Sequence, residues 1–341
     1  MTTYKRYQTP LTQIPEDELK LVAQFIRSEF QSYPSDNARI KAYEKAGYSV
    51  ISNPESDIIV DLIIDALEEQ KPFSVVRIGD GEGNLMTYLK YPNTPVLDQY
   101  VARAIITMQE DSFEASKLSL LLIRDLMNAS ARQADILGVR GIWGAYRSRD
   151  DERHKSFDDC MTLLKEEVRG KSGLFRATHH TLNLCQRGDV RGATVASAHL
   201  YIAVLRQLSK LVESSKAILL ITSHKECAHI FKERWPHKPI HLILVGNNSK
   251  NQTKPPKQPK FLLRLYKNLP CDLQGTLCLV GSGPWSEIYC SYVKERGGVA
   301  VDIGSGFDII RGASTRPIHN HIQKNYPDAL PPDITREQCS Y

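Results

Sequence analysis

Six apolar runs bounded by turn residues divide the chain beyond residue 70: FSVVRI (73–78), ADILGV (134–139), AILLIT (217–222), IHLILVG (240–246), GTLCLVG (275–281) and GVAVDIG (298–304). They are apolar almost throughout rather than at every second position, the pattern of strands covered on both faces. Most are separated by segments of helical period, such as HKECAHIFKERW (224–235) and PWSEIYCSYVKERG (284–297). Strands that alternate with helices must run parallel, because each helix carries the chain back over the sheet. The expected fold is therefore α/β, a parallel Rossmann-like sheet flanked by helices. Ahead of it, EDELKLVAQFIRSEF (16–30) has helical spacing, which makes residues 1–54 a helical extension; ESDIIVDLIIDALEEQ (55–70) opens the sheet domain with another helix. The domain should span 55–316, leaving 317–341 as a C-terminal tail.

Composition removes several function classes. The chain has 341 residues and is 41% hydrophobic, enough for a substantial core. Its 44 basic and 39 acidic residues leave a net charge of +5, too mild and too scattered for a nucleic-acid binder. The seven cysteines are odd in number and form no C-x-x-C pair, against both a disulfide framework and a structural zinc; reduced thiols in a cytoplasm are expected. The N-terminal residues lack a signal-peptide core, and no stretch reaches the roughly 18 apolar residues of a membrane helix.

Chemistry concentrates where the first strand ends, in RIGDGEGN (77–84). Ligands of parallel sheets collect at the carboxyl ends of strands. Gly79, Gly81 and Gly83 free the backbone for positive φ and close ligand approach, while Asp80 and Glu82 stand on either side of a glycine. Two carboxylates so close repel unless a cation joins them, and hard oxygen ligands suit Mg²⁺ or Mn²⁺, ions that keep waters and bind substrate phosphates. Arg77 is placed to contact a diphosphate or hold a carboxylate. The plain alternative is a solvated turn in which Arg77 pairs with Asp80. The loop is neither a P-loop, since no Lys-Ser or Lys-Thr follows the glycines, nor G-x-G-x-x-G.

A second constellation lies in GSGPW (281–285) and VDIGSGFDIIRG (301–312). A strand ends at Gly281-Ser282-Gly283, and Pro284 suits the first turn of a helix, whose N–H groups would face a phosphate or an anionic sugar substituent. Asp302 closes the next strand about where a Rossmann-like unit meets a ribose hydroxyl; capping the following turn is its alternative role. Asp308, Arg311 and Arg316 follow and could line the same cleft.

Together, Arg77 to Glu82, Gly283-Pro284 and Asp302-Ile303-Gly304 resemble the GT-D type glycosyltransferases, cytoplasmic bacterial enzymes that move a sugar from a nucleotide donor. The resemblance covers roughly residues 55 to 316 and departs at Ser305, where some relatives have histidine. It implies that Asp80 and Glu82 hold Mn²⁺ or Mg²⁺ and that Asp80 thereby takes part in catalysis. It places Arg77, Gly79, Gly81, Ser282, Gly283 and Asp302 around a nucleoside diphosphate sugar, expected to be UDP-linked. The acceptor would be a glycan, lipid-linked or protein-linked, in surface-polysaccharide or glycoprotein assembly. The expected location is cytoplasmic, at the inner face of the membrane if the acceptor is carrier-linked; peripheral membrane association and homo-oligomerisation stay open.

A general base must take the acceptor proton. Asp302 is the first candidate, with His224, after strand AILLIT at a helix capped by Ser223, and His199, in an apolar helical pattern typical of a core histidine, as rivals. Trp143 and Tyr146 could stack on a sugar, or anchor packing. The proline- and lysine-rich NNSKNQTKPPKQPK (247–260) reads as a long solvated loop or a lid that meets an anionic acceptor. Two other classes fit parts of the pattern: a Rossmann cofactor enzyme (methyltransferase or dehydrogenase) using Gly281–Gly283 and Asp302, and a non-catalytic nucleotide or sugar module.

Overall fold

The computed structural model describes residues 35–89, 117–142, 176–245 and 260–326, with isolated helical positions at 20, 24 and 27. The described strands are β1 (Ser49–Ile51), β2 (Phe73–Arg77), β3 (Ile136–Val139), β4 (Thr194–Ser197), β5 (Ala217–Thr222), β6 (Ile240–Leu244), β7 (Thr276–Gly281) and β8 (Val299–Asp302). They form one sheet in the order β1-β4-β3-β2-β8-β7-β5-β6, with every pair parallel. All six apolar runs are strands. The central ones are buried along nearly their whole length, while the edge strand β6 is only partly covered.

Helices α1 (Asp36–Lys45), α2 (Asp57–Glu68), α3 (Asp80–Met86), α4 (Lys117–Gln133), α5 (Tyr201–Arg206), α6 (Leu208–Ser214), α7 (Glu226–Arg234), α8 (Lys260–Asn268), α9 (Ser286–Glu295), α10 (Gly306–Ile310) and α11 (Pro317–Asn325) cover the sheet, with a further helical segment over 176–186. One face is buried by α3, α4, α8, α9 and the 176–186 segment, through residues such as Leu85, Met127, Leu265, Ile288 and Leu182. The other is buried by α2, α5, α6, α7, α10 and α11, through Ile63, Val204, Leu211, Phe231, Phe307 and Ile322. Helix α2 shows the cause: Ile59, Val60, Ile63, Ile64 and Leu67 form one buried stripe at three- and four-residue spacing.

Three sequence expectations change. Residues 49–51, counted in a helical extension, pair with β4 as the sheet's edge strand. In TVASAHLYIAVL (194–205), the apolar pattern around His199 that reads as helical, Thr194–Ser197 is a strand and the helix begins only at Tyr201; a four-residue apolar run leading straight into a helix is indistinguishable from its first turn by period. Residues 317–325, assigned to a tail, form α11, and Ile322 is fully buried. The helix expected over 16–30, apart from those isolated positions, Trp143, Tyr146 and nearly all of the 247–260 loop lie outside the described residues. Among the described residues no helix is long and apolar enough to cross a membrane.

The topology fixes where a ligand could sit. β2 and β8 are neighbours at the centre of the sheet. From the end of β2 the chain enters α3 on one face; from the end of β8 it enters α10 on the other. Loops that part to opposite faces leave a crevice at the carboxyl edge, the general ligand position of open parallel sheets.

Candidate active site

Arg77, the last residue of β2, turns across this crevice. Its Nε donates to Asp302 Oδ2 at 3.1 Å and its Nη2 to Asp302 Oδ1 at 3.2 Å, while Nη1 donates to the Ala198 carbonyl at 3.1 Å. The guanidinium carbon lies 4.9 Å from the centroid of the Tyr201 ring. Burial alone would lower the Arg77 pKa, but the charge and hydrogen bonds of Asp302 overcome it and raise the value, so the guanidinium stays charged. Asp302 is buried and also accepts from the Gly304 amide at 2.9 Å. Gly304 has φ +46, and a Cβ there would collide with Arg77 Nη2; only glycine allows the turn to close over the guanidinium.

The acidic pair follows directly. Asp80 is exposed at the mouth of the crevice, whereas Glu82 is buried. Residues 80–86 form a short helix, and none of Gly79, Gly81 and Gly83 takes a positive φ. What Gly79 supplies is room: the Glu82 carboxylate folds back over it, and a Cβ on Gly79 would stand 2.5 Å from Glu82 Oε2. Burial, then the charges of Asp80 and Asp302, push the Glu82 pKa up to about 7, with Arg77 acting in the opposite direction.

A third carboxyl completes the group. Glu287, in the first turn of α9, is 1% exposed, and its Oε2 has no hydrogen-bond partner among the described residues. Burial, reinforced by the Glu82 and Asp302 charges, holds its pKa well above the ordinary carboxylate range. Nothing in a period count separates this glutamate from the other acids that begin helices; its signal was its place just beyond Gly281-Ser282-Gly283.

The second expected ligand loop is braced inward. The Ser282 amide donates to Ser286 Oγ at 2.9 Å. Helix α9 starts at Ser286 rather than at Pro284, which takes part in a one-residue bridge with Ser282. The acidic first turn and the bonded Ser282 amide make this helix start a poorer anion cradle than the sequence suggested.

Beside the crevice a polar cluster joins β5 to β8. His224 Nε2 lies 3.5 Å from Asp308 Oδ1 and its Nδ1 lies 3.6 Å from Glu226 Oε1. Arg311 pairs with the same Asp308 at 3.1 Å, and the Thr315 hydroxyl donates to Asp308 Oδ2 at 2.6 Å. Burial, then the Arg311 charge, lower the His224 pKa, so its imidazole is neutral near pH 7. Ser223 does not cap α7: the cap position is Lys225, without a side-chain cap bond. His319 accepts from the Thr315 amide at Nδ1, which leaves its Nε2–H for Ser305 Oγ at 3.1 Å. Ser305 stands in the turn that follows Asp302, so this cluster lies next to the Arg77–Asp302 pair. His199 lies in the turn before α5, not on a helix; it is half-buried and held neutral by desolvation and the Arg140 and Arg77 charges, and its Nε2 accepts from Arg140 at 3.0 Å.

The family model for the GT-D fold-like domain matches residues 55–310. The chain belongs to the GT-D-like family. Two solved structures resemble this GT-D-like chain, one described as a domain of unknown function 1792 in selenomethionine-substituted form, the other as that highly conserved domain with a distinct glycosyltransferase fold. The first is 14% identical with a TM-score of 0.40, over 78% of this chain and 82% of its own. The second is 14% identical with a TM-score of 0.39, over 79% of this chain and 82% of its own. No curated protein matches the chain. The GT-D-like match begins just before α2 and ends with α10, so it contains β2, β8, the acidic pair and Glu287, and leaves α1, β1 and α11 outside.

Proposed function

We propose that this GT-D-like protein is a divalent-cation-dependent glycosyltransferase that moves a sugar from a nucleoside diphosphate donor to an acceptor hydroxyl. The expected donor is UDP-linked, and the expected acceptor a glycan, lipid-linked or protein-linked, in bacterial surface-polysaccharide or glycoprotein assembly. One observation carries the reading: Asp80 and Glu82 stand with the half-buried Arg77 at the central crevice of a parallel sheet, in a chain of this family. The donor set fits a hard cation. Glu82, Glu287 and Asp302 are buried beside one guanidinium, and burial holds the two glutamates toward their protonated forms; a Mg²⁺ or Mn²⁺ ion would stabilise the ionised carboxylates there. Asp80 and Glu82 would hold the ion, which when bound would neutralise charge on the departing diphosphate.

The chain's own groups divide the remaining work. Arg77 is fixed by Asp302, Ala198 and Tyr201, so its charge meets the donor without reorganising. Gly79, Gly81 and Gly283 offer backbone close to the diphosphate, with Ser282 bracing that wall. Both Asp302 oxygens are engaged, by Arg77 and by Gly304, so we assign the base to His224. A neutral imidazole backed by Asp308 can accept the acceptor's proton as the new glycosidic bond forms and the donor's anomeric C–O bond breaks, the electron pair leaving with the diphosphate. The test is a panel of nucleotide sugars assayed for nucleoside diphosphate release with and without Mn²⁺. Release that needs Mn²⁺ and is lost in Asp80→Asn and Glu82→Gln is expected. Turnover indifferent to the ion and to both substitutions would overturn the reading, and tight binding without turnover would make the protein a binding module.

A further inference from the structure

Glu287 takes no part in the chemistry assigned above, yet its burial carries a desolvation cost. A carboxyl that is 1% exposed with one oxygen unpartnered among the described residues forfeits hydration without a compensating bond. Apolar residues would fill the same volume at no such cost, as Ile288 and Cys290 do on the same helix. Helix α9 packs on β2, β7, β8 and α4, so Glu287 is presented by one of the best-supported elements of the molecule. Glu287 stands in the first turn of α9, directly after the carboxyl end of β7, and α9 packs on β2 and β8, so it lies at the sheet edge where those two strands deliver Arg77 and Asp302.

Resting on the proposed cation site, we infer that Glu287 is its third carboxylate, reaching the ion through the water shell. Among the described residues no three acids, histidines or cysteines stand in direct ligand geometry, so direct coordination is not the role assigned. Mg²⁺ and Mn²⁺ keep several waters in sites of this kind, and those waters need acceptors. Oε2 of Glu287 is a buried acceptor of that type, and outer-shell carboxylates of metal sites orient the inner ligands and strengthen binding. The arrangement divides labour by position: exposed Asp80 meets the ion as it arrives, buried Glu82 coordinates it, and Glu287 anchors the hydrated side.

The experiment measures Mn²⁺ binding to the full chain by the electron paramagnetic resonance signal of the free ion, with and without uridine diphosphate. The proteins are wild type, Glu82→Gln, Glu287→Gln and Glu287→Asp, and the urea midpoint of each is recorded. The expected result is loss of binding in Glu82→Gln and a fall of about ten-fold or more in Glu287→Gln. Glu287→Asp keeps the charge but withdraws it, and should also bind more weakly. A purely structural Glu287 would behave otherwise: Glu287→Gln would shift the urea midpoint and leave Mn²⁺ affinity within two-fold of wild type. That outcome, with Glu82→Gln still defective, overturns this inference and leaves the proposed function standing. Absence of Mn²⁺ binding in the wild type overturns both. If Glu287→Gln does not fold, Glu287→Asp decides by the same two-fold criterion.

Discussion

Arg77 and Asp302 close the central pair of strands with two side-by-side hydrogen bonds, of 3.1 and 3.2 Å, although 225 positions separate them in the chain. The pair is nearly dry: the Arg77 side chain is 16% exposed and that of Asp302 3%. Such a pair adds little over an apolar isostere, but removing one partner strands a buried charge. Asp302→Asn should therefore cost about 3–5 kcal/mol of folding stability in urea titrations. Arg77→Met should cost more, because the same guanidinium also offsets Glu82 and Glu287. Equal losses in the two variants would show that those acids do not depend on Arg77.

Gly79→Ala isolates the geometry of the acidic pair from its charge. The Gly79 backbone, at φ −93 and ψ −166, is open to any residue, so the substitution carries no backbone strain. The new methyl would stand 2.5 Å from Glu82 Oε2 and must push the carboxylate aside. The expected outcome is a stability change under about 1 kcal/mol, the usual range for unstrained sites, with a Mn²⁺ affinity at least ten-fold weaker. Unchanged affinity would mean that Glu82 binds the ion, if at all, in another conformation.

The parallel sheet was legible because the central strands are apolar on both faces over most of their length, rather than at alternate positions as in water-facing strands. The place of the site followed, since Arg77 and Asp302 each end such a run. What sequence could not supply was pairing. Arg77 had two acids within reach along the chain, Asp80 and Glu82, and its partner proved to be Asp302, brought beside it by strand order. Glu287 was hidden for the same reason: a glutamate in a helix's first turn is ordinarily a solvated dipole partner, and only its burial by α4 and the sheet makes it exceptional. β1 and β4 were missed because three or four residues carry too little period to separate strand from helix.

Glu82 makes stability depend on pH in a direction opposite to that of most paired carboxylates. Its folded pKa is about 7, raised from an ordinary 4.5, so between those values the folded state binds more protons than the unfolded chain. Without divalent cation, the Glu82 contribution to stability should fall as pH rises from about 4.5 to about 7 and then level off, since the linkage slope is negative wherever the native state holds the extra proton. Melting temperatures across that window should decline in the wild type and decline less in Glu82→Gln. Added Mn²⁺ should reverse the trend, because cation binding needs the ionised form. A profile identical in the wild type and Glu82→Gln would remove Glu82 as its source.

His224 gives the proposed transfer its acid limb. Burial, then Arg311, lower its pKa from 6.5, while Asp308 and Glu226 raise it. A base must be neutral to act, so kcat/KM should be flat near pH 7 and fall only below pH 6.5, as the imidazole protonates. The two flanking residues should move that limb in opposite directions. Asp308→Asn removes a charge that favours imidazolium and should displace the limb to lower pH; Arg311→Gln removes a charge that opposes it and should displace the limb upward. His224→Asn should abolish the limb and lower kcat by about 10²–10⁴-fold, the usual contribution of a general base. The measurement is the pH profile of donor turnover with acceptor present, read alongside Mn²⁺ affinity, which none of these three substitutions should change. A limb that stays in place in both Asp308→Asn and Arg311→Gln would mean that another group takes the acceptor's proton.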